Sequence, residues 1–559
     1  MPTHSPSPAP APPPPGAAPR TASPRRPRRL AAVAAALPLA LLATACGGAE
    51  AGGAGGDAGE PRPGGTLAVG LNTSVACVDP HQNSSNVTIF VARQIADSLT
   101  DQDPETGEIT PWLAESWEVS DDATAYTFHL RPGVTFSDGT PLDAAAVAAN
   151  FDTIAELGPG VTPLASTYLD GYAGSEVLDE GTVTVSFDHP NVQFLQGTAT
   201  ITLGILAPAT LELTPEQRCA GDLTAAGPFV IDSYQPDQRI TLDRRDGYDW
   251  ASPVLEHSGE AYVEGVSFEV VPEAGVRAGQ LRNGELHVDT IPLTEDVPSF
   301  EGNGFGVVGR PYPGVGVNLI PNLERPLTGE LNVRRAIQLG VDREEIVAGV
   351  FTEYDQVARN VITSATPFFE PLDGIAHDPD EAERLLSEAG WEPGADGIRE
   401  RDGQRLELVA LYHAGRQASP MMELVQSQLR EIGVDLRIRL VAPAELAEAE
   451  SSGDWDLWYS PFHRAEADSA RAVFGFTGRN QNRAEAARPV DELLQRQSGE
   501  ADPERRQRLI AEATQELVDQ GYAIPLYELA GVMTHRDSVQ GFHFEASSRL
   551  SLYDVWLAE

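Results

Sequence analysis

PWLAESWEVSDDATAYTFHLRPGVTFSDGTPLDAAAVAANFDTI, residues 111–154, reads as a β-hairpin delivered into a helix. Trp117 and Val119 alternate with polar neighbours, and so do Tyr126, Phe128 and Leu130, the period of strands with one buried face. Ser120 to Thr124 is the polar turn between them, and Pro132-Gly133 and Asp138-Gly139 mark two further turns. Thr140 is then expected to cap a helix. Pro141 suits its first position, where no N–H is needed, and Asp143 favours the positive end of the helix dipole. Val147, Phe151 and Ile154 recur at i, i+4, i+7 as one apolar stripe.

The same periods recur outward from this stretch. Val183, Val185 and Phe187 alternate, as do Val266, Phe268 and Val270. VRAGQLRNGELHVD reads as a short helix, a turn at Asn283-Gly284 and a strand. HDPDEAERLLSEAGW, 377–391, is a self-contained helix with Asp378 as N-cap, Pro379 next, Gly390 past the end and Trp391 packing back. Leu406, Leu408 and Ala410 alternate, Ser419-Pro420 opens a helix with Leu424, Val425, Leu429 and Ile432 inward, and Leu436, Ile438 and Leu440 alternate again. That is a βαβ unit, with locally parallel strands and a right-handed crossover. GFGVVG at 304–309 matches a dinucleotide-binding pattern, but Pro311 and Pro313 follow where a helix must open, so it is expected as a Gly-rich strand. The class is α/β, and 559 residues are too many for one ordinary core.

The chain holds 39 basic residues, all arginine, against 83 acids. Five of the arginines lie in residues 1–45, which contain no acid, so the remainder carries 34 against 83, a net charge of −49. Such a surface repels phosphate backbones and argues against nucleic acid as a partner. No nucleophile elbow, His-Glu-x-x-His, Walker A or Cys-x-x-Cys motif is present, and the 11 histidines show no ligand spacing. The expectation is a binder and not an enzyme, with no cofactor and no metal.

Residues 1–45 read as a signal peptide: a basic stretch from Arg25 to Arg29, then an apolar run from Leu30 to Leu42 too short to span a bilayer comfortably. The run ends in LLATACGG, which resembles the bacterial lipobox, with Ala43 where Leu is usual. The resemblance implies cleavage before Cys46, diacylation of its sulfur and anchoring to the outer face of the cytoplasmic membrane. Gly/Ala-rich residues 46–65 would be a flexible tether.

LAESWEVSDD and YTFHLRPGVTFSDGTPLDA, in that order, resemble the signature of the family 5 extracellular solute-binding proteins of ABC transporters, the dipeptide, oligopeptide and nickel-binding group. TLAVGLNTSVACVDPH, AAGPFVIDSYQPDQRITLDRRDGYDW (225–250, with Ala225-Ala226 for the usual Gly-Thr), VNLIPNLERPLTGELNVRRAIQLGVDREEIVAGVF and DPERRQRLIAEATQELVDQGYAIPLYEL extend the resemblance over about 66–559. It implies a two-lobed type II periplasmic-binding-protein fold with an extra inserted subdomain. Lobe I would take 66–103, 223–312 and 530–559, the insert 104–222, and lobe II 313–529, with a hinge near 307–316. It also implies a substrate-binding lipoprotein of an ABC importer, most simply for a peptide or peptide-like solute, working as a monomer with a membrane permease and ATPase. A surface sensor or scaffold on the same fold, or a non-peptide ligand (metal chelate, opine, oligosaccharide), stays open at this point.

DWDLWYSPFHRAEADSARAVF, 454–474, resembles the family's cleft-lining loop, in which an Asp of peptide binders meets the ligand's α-ammonium. Ala465 is the nearest equivalent here, so Glu466 or Asp468 would have to serve, with His463 and Arg464 as acceptor or anion partners. The candidate ligand residues are Asn86, Tyr168, Tyr312, Trp458, Tyr459, Phe462, His463, Glu466 and Asp468; for Tyr168, Trp458 and Tyr459 core packing is the competing reading. Outside the cell two cysteines are more often bridged than free, so Cys77 and Cys219 are expected to close a loop of roughly 140 residues.

Overall fold

Thr66–Leu71, TLAVGL, is the strand on which the first lobe is built. Leu67, Val69 and Leu71 are wholly buried on one face. The computed structural model describes residues 59–558, so the expected signal peptide, Cys46 and the first part of the tether lie outside the described residues. Thr66–Leu71 pairs in parallel with Gly265–Val270 on one side and Val288–Asp289 on the other. The sheet has seven strands, in the order Phe305–Pro311, Ala530–Arg536, Val288–Asp289, Thr66–Leu71, Gly265–Val270, Arg239–Arg244 and Phe229–Gln235. The Gly-rich run at 304–309 is indeed strand. Asn86–Ile95 is a helix whose cap, Ser85, accepts from the Thr88 N–H, and its Phe90 meets Phe268 of the sheet edge-on at 5.4 Å.

The hairpin of the opening stretch forms as Ala114–Val119 with Ala125–Leu130. It continues antiparallel through Thr182–Phe187 and Tyr172–Asp179 into a four-stranded sheet. Helix Ala144–Glu156 covers it, with Val147, Phe151 and Ile154 buried as the spacing predicts. The Phe194 ring stands 4.8–6.1 Å from those of Tyr126, Phe128, Phe151 and Phe187. This core runs without a break into that of the seven-stranded sheet.

The helix starts later than Thr140-Pro141. The Asp138-Gly139 turn folds the chain back on itself, Phe136 N–H donating to Thr140 O and Leu142 N–H to Val134 O. The cap is therefore Asp143, which accepts from the Ala146 N–H at 2.8 Å.

The second lobe holds a six-stranded sheet, in the order Gln356–Val357, Ile524–Glu528, Gly314–Pro321, Leu457–His463, Glu407–His413 and Asp435–Val441. The last two strands are parallel and joined by helix Ala418–Glu431, the expected βαβ unit. Ser419 and Pro420 sit inside its first turn, where proline's missing N–H is harmless, and Tyr412 OH donates to the Ser419 hydroxyl. Apolar clusters cover both faces of the sheet, so Gly314–Pro321 is buried at every position, the mark of a central strand. Helix Pro379–Glu388 is capped by Asp378, and Trp391 is fully buried behind it.

The chain passes between the two large sheets at two adjacent places. Phe305–Pro311 runs on into Gly314–Pro321, and Ile524–Glu528 runs back into Ala530–Arg536, with Tyr312 N–H donating to Leu529 O at 2.9 Å between them. Asp355 pins this point by accepting from the Ala530 N–H, and Arg416 pairs with Asp355 and donates to Ala530 O. Cys77, in the loop after the first strand, is disulfide-bonded to Cys219 at the end of helix Pro215–Cys219. No helix among the described residues is long and apolar enough to cross a membrane.

Candidate functional site

Strand Leu457–His463 ends at the boundary between the lobes, and Arg464 N–H then donates to Pro313 O beside the crossing. Gly314 permits this approach. Its φ is +109°, and a Cβ there would stand 2.3 Å from Phe462 O. The chain turns through Ala465 to Asp468, all buried, into helix Ser469–Phe474. Opposite it lie the inserted subdomain and the C-terminal segment of the first lobe. Gln102 Nε2 donates to Ala465 O at 3.3 Å, Arg464 to Gln193 Oε1, and Val192 N–H to Ser498 O at 3.3 Å. The lobes are thus drawn together over a cleft.

The cleft has three joined chambers. The central one is narrow, about 50 Å³, with Tyr168, Gln196, His463, Arg464, Glu545 and Arg549 on its walls. Gln102, Ala465 and Ala546 also wall a second, polar chamber under the 103–107 and 365–369 loops. Arg549 opens onto a third, with Asn86 and Tyr312.

Four expected residues line these chambers. Asn86 Oδ1 accepts from Arg549 at 2.5 Å. Tyr168 lies 4.2 Å beneath the Arg464 guanidinium and donates to Gln196 Oε1 at 2.5 Å, and burial raises its pKa. Tyr312 stacks on His463 at 4.7 Å. Burial, with the Arg549 charge nearby, pushes His463 down to about 3, so its ring is neutral.

The other five lie off the chambers. Trp458 packs on Trp455, and Tyr459 meets the Tyr527 hydroxyl at 3.1 Å, on opposite sides of the second lobe's sheet. Phe462 packs on the cluster that holds Trp458. The Glu466 carboxylate is paired with Arg506, and Asp468 with Arg471 at 2.8 Å and with Gln497. Neither acid is spare for a ligand cation in this arrangement.

The sequence reading missed Arg549, Glu545, Asp101, Gln102 and Gln196. Residues 545–549, EASSR, carry no periodicity or motif; they are the tip of the hairpin His543–Phe544/Leu550–Ser551, with Ser548 Oγ donating to Pro311 O at the crossing. Glu545 is held by Arg93 at 3.0 Å, and burial raises the Asp101 pKa. Among the described residues no group of three or more His, Cys, Asp and Glu side chains is placed to hold a metal ion.

Two α/β lobes, joined by a pair of adjacent strands and drawn together over a cleft walled by both, define a two-lobed binding protein. The model of bacterial extracellular solute-binding proteins, family 5 Middle, matches residues 108–483, and the chain belongs to that family, the extracytoplasmic substrate-binding components of ABC importers. It is 24% identical over 473 residues to the nickel-binding periplasmic protein of Escherichia coli, covering 81% of this chain and 87% of that protein. It is 25% identical over 515 residues to the glutathione-binding protein GsiB of Salmonella paratyphi A, covering 88% and 94%. Among solved structures, NikA from Brucella suis in complex with Fe(III)-EDTA superposes with a TM-score of 0.77 at 24% identity, over 88% of this chain and all of that one.

Proposed function

We propose that the chain is a lipoprotein, tethered through a diacylated Cys46 to the outer face of the cytoplasmic membrane. It captures a peptide or peptide-like solute in the cleft and passes it, chemically unchanged, as a monomer to an ABC permease and ATPase. The observation that carries this is the cleft itself. Its walls come from the first lobe, the insert and the second lobe, so a solute in it contacts all three at once. A ligand shifts the open–closed equilibrium only by its differential affinity for the two states, and groups on both lobes provide that difference. The glutathione-binding relative supports a peptide-like solute. A metal chelate is the second reading, favoured by the nickel-binding relative and by the Fe(III)-EDTA complex of the structural neighbour.

Native mass spectrometry of the purified protein, followed by calorimetry on the solute found, tests the capture. One bound small molecule, released on unfolding and unchanged in mass on rebinding, is expected. Neither heat nor a thermal shift across peptides, opines, sugars and chelates would count decisively against it. Metabolic labelling with palmitate, lost in Cys46→Ala, tests the anchor.

A further inference from the structure

We propose that residues 190–193 and 497–499 form a clasp between the lobes, outside the cleft, that sets how long a captured solute stays. This rests on the capture reading and names the contact that governs release. The first half is a corner built before it meets its partner. Asn191 is buried; its N–H donates to Ala123 O at 3.0 Å and its Nδ2 to Tyr168 O at 2.8 Å. Its carbonyl accepts from Tyr126 OH at 2.6 Å and from Phe194 N–H at 3.1 Å, which closes a turn over 191–194. The Val192 N–H, inside that turn, donates to Ser498 O of the second lobe at 3.3 Å.

Ser498 ends helix Pro489–Ser498, and the last carbonyls of a helix lack donors of their own. Arg496 O and Gln497 O are met locally, by the N–H groups of Gly499 and Glu500 at 3.3 Å each, and Ser498 O is met by Val192 across the gap. Gly499 faces Pro190: a Cβ there would stand 3.4 Å from Pro190 Cβ and 3.9 Å from its Cγ. Both halves are tied to the cleft. Asn191 holds the backbone of Tyr168, and Gln497 holds the Asp468 carboxylate at the end of the 464–468 loop, so parting the cleft parts the clasp. Yet none of residues 190–193 and 497–499 lines a chamber. Their contact belongs to the closed arrangement alone and tilts the open–closed equilibrium whatever the solute is. A solute that leaves through the open form is released more slowly by the share the clasp adds.

The test alters the contact and leaves the chamber walls as they are. Val192 is the second residue of the Asn191–Phe194 turn, where proline fits, so Val192→Pro removes the N–H and keeps the turn. Gly499 has φ −109°, open to any residue, so Gly499→Tyr is harmless in the open chain and wedges against Pro190 in the closed one. The purified chains are offered a pool of tripeptides randomised over Ala, Leu, Ser and Tyr, together with Fe(III)-EDTA, and the loss of retained species after dilution is followed by mass spectrometry. Release should be about fivefold faster in both variants, with Gly499→Ala falling between Gly499→Tyr and the unaltered chain, while the association rate and the melting temperature of the solute-free chain hold. In the unaltered chain the Val192 amide should exchange with deuterium several-fold more slowly once solute is held. If Val192→Pro does not fold, Gly499→Tyr and the amide exchange decide the matter. Release at the unaltered rate in Gly499→Tyr, or a Val192 amide that exchanges alike with and without solute, would overturn this inference and leave capture standing. Retention of no species by the unaltered chain would count against capture itself and the inference with it.

Discussion

Gly227 shows how one missing side chain fixes a lobe. It survives in the AAGPF stretch although Ala225-Ala226 replace the residues usual in the family it resembles. Its N–H donates to Ile95 O, and a Cβ would stand 2.4 Å from the Ile95 carbonyl carbon and oxygen. Gly227→Ala must therefore push strand from helix end, and a loss of about 1–3 kcal/mol is expected in urea unfolding. Nearby, Asp97 is buried with its Oδ2 accepting from Tyr248 OH and Trp250 Nε1. Burial raises its pKa to about 7 against the opposing pull of Arg93. The folded state then holds a proton that the unfolded chain releases near pH 4. Stability from this group is full below about pH 4 and is lost as pH rises to about 7, an effect on the order of a few kcal/mol. Asp97→Asn should flatten that fall in a series of unfolding curves; an unchanged slope would show that another group titrates.

Helices and strands were legible where the local pattern and the tertiary contacts agree. Helix Pro379–Glu388 carries its own cap, stop and stripe, and forms as read. The helix after the opening hairpin was placed too early because Thr140-Pro141 is a good local start, yet the backbone at 140–142 is engaged by 134–136. Asp143→Ala should cost about 1 kcal/mol and Thr140→Ala much less, as measured by chemical denaturation. In strand Leu457–His463 alternation separates Trp458 from Tyr459, but apolar clusters cover both faces, so no period could say which side was core and which was cleft. The Glu466 and Asp468 carboxylates were readable as residues, and Arg471 lies only three positions from Asp468 on the helix it opens, but Arg506 is 40 residues from Glu466, in helix Pro503–Asp519, beyond the reach of any local pattern.

Across the whole molecule the two-lobed plan followed from a resemblance spread over many short words, whereas the cleft's far wall came from a segment with no pattern of its own. The Cys77–Cys219 bridge adds a covalent tie between positions 142 residues apart. On the chain-entropy model reduction should lower stability by about 4–5 kcal/mol, seen as a shifted urea midpoint in reductant, and Cys77→Ala with Cys219→Ala should reproduce it. An unshifted midpoint would mean the unfolded chain is already constrained there.

The paired strands at 311–314 and 528–530 behave like the two plates of a door butt, bound edge to edge by the Tyr312–Leu529 hydrogen bond. If the halves part, such a joint is expected to let them turn about its own line. Two separations, measured between fluorophore pairs placed differently on the two halves, should then change together on adding solute; independent changes would rule out a single line of turning.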